Sequence, residues 1–141
     1  MEFKVKDSAR RFELWEKSDA LKLGMIAAID YALDVGMKEI EAYNTTIRER
    51  LLSNLSSLEG VHVLDQGSRV ANIITLRKEG CSLEEMQDHL DRHDVVYSVT
   101  RKSNAYIDFD KKQVDWAIRI SPHYFNTLEE MDRLASIIES V

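Results

Sequence analysis

Hydrophobic and polar positions change period along this chain, and each change marks an element. After a short lead-in over residues 1–12, Ser18-Asp19 offers a helix start. Ala20, Leu23, Gly24, Ala27, Tyr31 and Ala32 then recur at helical spacing as far as Gly36, a residue that takes the left-handed conformation freely and so stops a helix. A second helix follows, with Ile40, Ile47, Leu51, Leu55 and Leu58 on one stripe and Glu39, Arg48 and Glu49 off it, closed by Gly60. The period then drops to two. Residues 61–64 read as a short strand, Asp65-Gln66-Gly67-Ser68 as a turn, and residues 70–76 as a second strand because β-branched side chains dominate it.

Ser82 with Glu85 three residues on predicts a helix start in which each side chain satisfies the other's backbone amide, and Leu83, Met86 and Leu90 give that helix one apolar stripe. Residues 95–99 predict a third strand, and the polar stretch 101–113 a loop or irregular hairpin. Residues 114–120 predict a fourth strand, with Trp116, Ile118 and Ile120 on one face and Asp115, Ala117 and Arg119 on the other. Thr127 and Glu130 form a second capping box ahead of a helix striped by Leu128, Met131, Leu134 and Ile138. The order ααββαββα predicts an α+β fold: a small, mostly antiparallel sheet of about four strands with helices packed on one face. One domain over residues 1–141 is expected, since no linker, repeat or low-complexity segment interrupts the chain.

Composition narrows the function. Lys plus Arg number 19 against 25 Asp plus Glu, a formal net charge of −6, which argues against nucleic acid or an anionic membrane as partner. No apolar run reaches membrane-spanning length, and the first residues lack the apolar stretch of a signal peptide. The single cysteine, Cys81, fits a reducing compartment, so a cytoplasmic location is expected.

Catalytic signatures are sparse. The five glycines are scattered, so no phosphate loop is present. His89 and His93 have the i, i+4 spacing of a metal pair, but Leu90 stands where a zinc-protease helix needs Glu. No metal site is expected, and the pair reads as a helix end where histidine suits the dipole. Cys81, with no basic neighbour in sequence, reads as a small core residue, and Trp15 and Trp116 as core anchors. Arg119 differs. It interrupts an apolar strand, and a guanidinium forks onto a carboxylate with two parallel hydrogen bonds.

The run Arg119-Ile120-Ser121-Pro122-His123-Tyr124-Phe125-Asn126-Thr127-Leu128-Glu129-Glu130-Met131-Asp132 resembles the closing segment of class V pyridoxal-phosphate enzymes: Arg-x-Ser, then Tyr-(Tyr/Phe)-Asn-Thr, then acidic residues. Ala9-Arg10-Arg11-Phe12-Glu13 resembles the family's segment where the large domain hands over to the small one, and residues 27–33 are similar to its helical part. The resemblance implies the C-terminal small domain of a fold type I enzyme, whose partners are a larger cofactor-binding domain and an amino-acid substrate. Surface that would pack against that domain favours self-association when exposed, so a homo-oligomer of this chain is also expected. The resemblance also implies that Arg119 binds the substrate's α-carboxylate. Pyridoxal phosphate would belong to the intact parent enzyme and not to this chain alone, because the Schiff-base lysine and the ring anchors belong to the large domain. This chain would then contain no catalytic, cofactor-binding or metal-binding residue of its own.

Cysteine desulfurases of the family carry Gly-Thr where Trp15-Glu16 stands here, and a persulfide-forming cysteine before the arginine strand, where residues 100–118 contain none. Those departures bring the chain nearer the isopenicillin-N-epimerase-like branch. The alternative expectation is a free-standing α+β binding or interaction module derived from the same fold.

Overall fold

Helix α1 (Asp19–Val35) begins where Ser18 Oγ accepts the Leu21 amide at 3.3 Å, and it ends at Gly36, whose φ of 98° lies outside the range most side chains tolerate. In the computed structural model, which describes residues 4–13, 16–67 and 70–141, the chain divides into two compact units, Met1–Met37 and Lys38–Val141. The first holds a 3₁₀ turn (Ala9–Phe12) and α1; neither element has a buried residue. Trp15 and Ser68, expected as a core anchor and a turn residue, lie outside the described residues.

The second unit is the α+β layer. Strands β1 (Val61–Val63), β2 (Ile74–Lys78), β3 (Ser98–Arg101) and β4 (Trp116–Ile120) form one antiparallel sheet in the order β1-β2-β4-β3. Register pairs Ile74 with Ile120, Leu76 with Ile118, and Val99 with Ile118, so these side chains share a face. Against that face pack α2 (Met37–Ser56) through Ile47, Leu51 and Leu55, α3 (Leu83–Arg92) through Leu83, Met86 and Leu90, and α5 (Leu128–Glu139) through Met131, Leu134, Ile137 and Ile138. Trp116 is half-buried against the same core. Both capping boxes form as the spacing predicts.

Four segments differ from the sequence reading, one of them the fourth strand, which starts at Trp116 rather than at residue 114. The second strand starts at Ile74 rather than at residue 70, because β1 and β4 offer partners only to residues 74–78; pairing, not β-propensity, sets its limits. The third strand starts at Ser98, since the Val95 amide still donates to Leu90 O at 3.1 Å and Val96 is 93% exposed. The polar stretch 101–113 folds into a 3₁₀ turn (Lys102–Asn104) and a helix, α4 (Tyr106–Lys112). Phe109 of α4 packs with Leu64, Val114 and Ala117, so this short helix covers one end of the sheet face opposite α2, α3 and α5.

Two polar ties secure α5. Lys78 Nζ donates to Ile138 O, Glu139 O and a Val141 oxygen at 3.0, 2.7 and 3.1 Å. Arg50 of α2 forks onto Asp132, Nε to Oδ1 at 2.6 Å and Nη2 to Oδ2 at 2.7 Å, and Asn54 Nδ2 adds a bond of 2.7 Å. The hydrogen bonds from Arg50, then those from Asn54, pull the Asp132 carboxyl down to about 2 from its ordinary 3.8. A carboxylate depressed in the folded state contributes stability that is fully present above its unfolded value and is lost as pH falls through the folded one. Acid should therefore weaken the α2–α5 tie between those two values. Asp132→Asn should flatten that part of a plot of denaturation midpoint against pH, and an acid limb unchanged by the substitution would show that the tie contributes nothing.

Candidate functional site

Alternation along β4 places Arg119 on the sheet face away from Ile118 and Ile120, where its side chain is exposed. Register sets Thr75 of β2 on one flank of Arg119 and Ser98 of β3 on the other. Among the described residues the guanidinium forms no ion pair and enters no side-chain hydrogen bond, so its fork is available. Arg119 lines a cleft of about 660 Å³ together with Ser98, Tyr97, Phe125, Asn126 and Glu130.

The loop after β4 is held from three directions. Asn126 Oδ1 accepts the His123 amide at 2.9 Å, closing the turn on itself. Asn72 Nδ2 donates to Pro122 O at 2.8 Å, and Tyr43 Oη of α2 donates to Asn126 O at 3.3 Å. Glu130 completes the lattice: its Oε2 accepts the Thr127 amide at 2.8 Å and Asn126 Nδ2 at 3.1 Å. Those bonds, the backbone one first, hold the Glu130 carboxyl below its ordinary value. Thr127 Oγ1 accepts the Glu130 amide at 3.2 Å in return. One cap therefore fixes both the start of α5 and the loop below Arg119. Thr127→Ala should lower stability by about 1 kcal/mol, read as a lower denaturation midpoint; an unchanged midpoint would mean the cap contributes nothing. Asn126 stood in the sequence run without an assigned role, and Asn72 and Tyr43 are too distant in sequence for any motif to reach.

The remaining candidates are structural. Cys81 is half-buried against the main core, Sγ donating to Ser82 O at 3.3 Å, and burial, then the charge of Glu85, pushes its thiol up. That is the opposite of an activated nucleophile. His89 Nε2 lies 3.0 Å from Ile137 O and 3.1 Å from Ser140 Oγ, which joins α3 to α5, and its ring sits 4.7 Å from that of His93. His62 pairs with Glu79 at 2.8 Å. Four of the described lysines are held by partners. Lys78 is enclosed by the end of α5, Lys112 pairs with Asp108 at 2.7 Å and Lys22 with Asp19 at 2.7 Å. Lys102 pairs with Asp110 at 2.9 Å, and the hydrogen bond to Asp110 raises its pKa where imine chemistry needs it lowered.

The site so built is Arg119, exposed on one face of an α+β layer, at the end of the strand that runs into a loop fixed by Asn126 and Glu130. The aminotransferase class-V family model matches residues 2–134, and the chain belongs to that family, whose enzymes depend on pyridoxal phosphate. It is 24% identical over 131 residues to a cysteine desulfurase of Synechococcus elongatus, covering 93% of this chain and 21% of that protein. Among solved structures it superposes on the apo cysteine desulfurase of Thermococcus onnurineus with a TM-score of 0.81 at 22% identity, over 98% of this chain and 34% of that one. It also superposes on a cystine C–S lyase in complex with its reaction product cysteine persulfide, with a TM-score of 0.70 at 18% identity, over 95% of this chain and 32% of that one. The chain thus spans between a fifth and about a third of the length of these proteins. Their names are those of sulfur-handling enzymes rather than of the epimerase-like branch to which Trp15-Glu16 points. Among the described residues, no helix is long and apolar enough to cross a membrane.

Proposed function

We propose that this chain is the C-terminal small domain of a pyridoxal-phosphate-dependent class V enzyme acting on an amino acid, and that Arg119 receives the substrate's α-carboxylate. The observation that carries this reading is the uncommitted fork of Arg119 on the open sheet face, above a loop immobilised by Asn126, Asn72 and Tyr43. A guanidinium so placed can orient an amino acid by a bidentate, charge-assisted contact while other groups do the bond-breaking. Support comes from the side chains described above: Lys22, Lys78, Lys102 and Lys112 are held by partners, and Cys81 is held as a thiol at the start of α3. The cofactor belongs to the large domain in this reading. Partners are that large domain, the amino-acid substrate and a second copy of the chain. The exposed Leu21, Leu23, Ile26, Ile29 and Leu33 of α1 offer apolar surface for such contacts.

The absent thiol supports one branch over another. With no cysteine in residues 100–118, the segment before the arginine strand contains nothing to accept sulfur. That favours an epimerase-like or aminotransferase-like reaction, or a lyase that releases its sulfur product, over a desulfurase that stores sulfur on this domain. The test separates domain from enzyme. The chain mixed with pyridoxal phosphate and dialysed should keep no cofactor absorbance and show no transaminase, lyase or epimerase turnover. Retention of the cofactor with an imine absorbance, or turnover, would overturn the reading.

A further inference from the structure

Arg119 alone does not complete a carboxylate site. A carboxylate offers about four lone-pair positions, and one guanidinium fork fills two of them. The outer positions must be met by water or by neighbouring donors, and the register of the sheet sets two residues directly opposite Arg119 on its own face, Thr75 and Ser98. They are not equivalent. The single hydroxyl proton of Thr75 is already used: Oγ1 donates to Asp65 Oδ1 at 2.9 Å, while the Thr75 amide donates to Asp65 Oδ2 at 2.7 Å. Asp65 thereby locks that flank with its donors pointing at itself. Ser98 is exposed, enters none of the side-chain hydrogen bonds among the described residues, and lines the same cleft as Arg119.

Resting on the carboxylate role of Arg119, we infer that Ser98 is a second binding residue of that site, its hydroxyl donating to an outer lone pair of the carboxylate. The ligand chemistry is a free carboxylate beside an amino group, the backbone portion of an amino acid. A hydroxyl on the edge strand adds directionality that a single cation lacks, so the pair distinguishes a free acid from its amide more sharply than Arg119 does alone.

Nuclear magnetic resonance on the isotopically labelled chain tests this, with L-alanine as the carboxylate probe and L-alaninamide as the probe that lacks the acid. L-Alanine should shift the Arg119 side-chain Nε–H saturably, and L-alaninamide should not. Ser98→Ala should weaken L-alanine binding roughly three- to tenfold, the size of one such hydrogen bond, and Ser98→Thr, which keeps the hydroxyl, should restore most of it. Arg119→Ala should abolish saturation. Binding lost with Arg119→Ala but untouched by Ser98→Ala would overturn the role of Ser98 and leave that of Arg119 standing. A loss with Ser121→Ala and none with Ser98→Ala would overturn it too, by moving the donor to the loop. Binding indifferent to Arg119→Ala, or no saturable shift at all, would overturn the carboxylate reading of Arg119 itself.

Discussion

Arg119→Ala, made in the intact enzyme of which this domain is proposed to be part, should lower kcat/KM by about 2 to 4 kcal/mol, expressed mainly as weaker substrate binding. The physical content is the loss of two parallel charge-assisted hydrogen bonds. On the same face the flanking residues are Thr75 and Ser98, neither of which has charge to offer. Lysine should rescue only in part, because an ammonium is a point donor and cannot meet both carboxylate oxygens in one plane. Since the loop below Arg119 is fixed independently by Asn126 and Glu130, the substitution should leave the denaturation midpoint nearly unchanged. An enzyme whose kcat/KM ignores Arg119→Ala would remove the arginine from the site.

Phe109→Ala should lower stability by about 3 kcal/mol, read from denaturant unfolding. Phe109 is 3% exposed and packs with Leu64, Val114 and Ala117, a small cluster on the face opposite the main core. Removing the ring leaves a cavity against strand β4 that three small or medium side chains cannot refill, and Phe→Ala changes of this kind cost about 3 to 5 kcal/mol. The lower end applies because the cluster is small. A loss below about 1 kcal/mol would mean that α4 is peripheral and the sheet needs no second cover.

That helix also shows why part of the fold was legible and part was not. The stripes of α2, α3 and α5 repeat over two or more turns and bury on one side, so periodicity alone locates them, and the capping boxes mark the starts of α3 and α5. Residues 101–113 bury a single large side chain, and one apolar position has no period. The remaining signal was the i, i+4 pair Asp108 and Lys112, joined at 2.7 Å, a weak cue of a few tenths of a kcal/mol at most. Strand limits were displaced for a different reason. Residues 70–73 and 95–97 have β-forming side chains, but a strand exists only where a partner lies alongside, and partners are set by the sheet rather than by the segment. For the site, the motif run contained Arg119, Asn126, Thr127 and Glu130, whereas Asn72, Tyr43, Thr75 and Ser98 reach it only through the fold.

Lys78 changes how the end of α5 opens. Helix ends ordinarily fray, their last carbonyls meeting water within the first sub-global openings. Here one ammonium from the middle sheet strand β2 spends all three protons on Ile138 O, Glu139 O and a Val141 oxygen, where the helix dipole also favours a cation. The last turn of α5 is thereby joined to the sheet, and its amides should exchange with deuterium in step with β2 rather than ahead of it. Acetylation of Lys78 would remove the charge and leave a single N–H for three acceptors, releasing that turn while the rest of α5 stays protected.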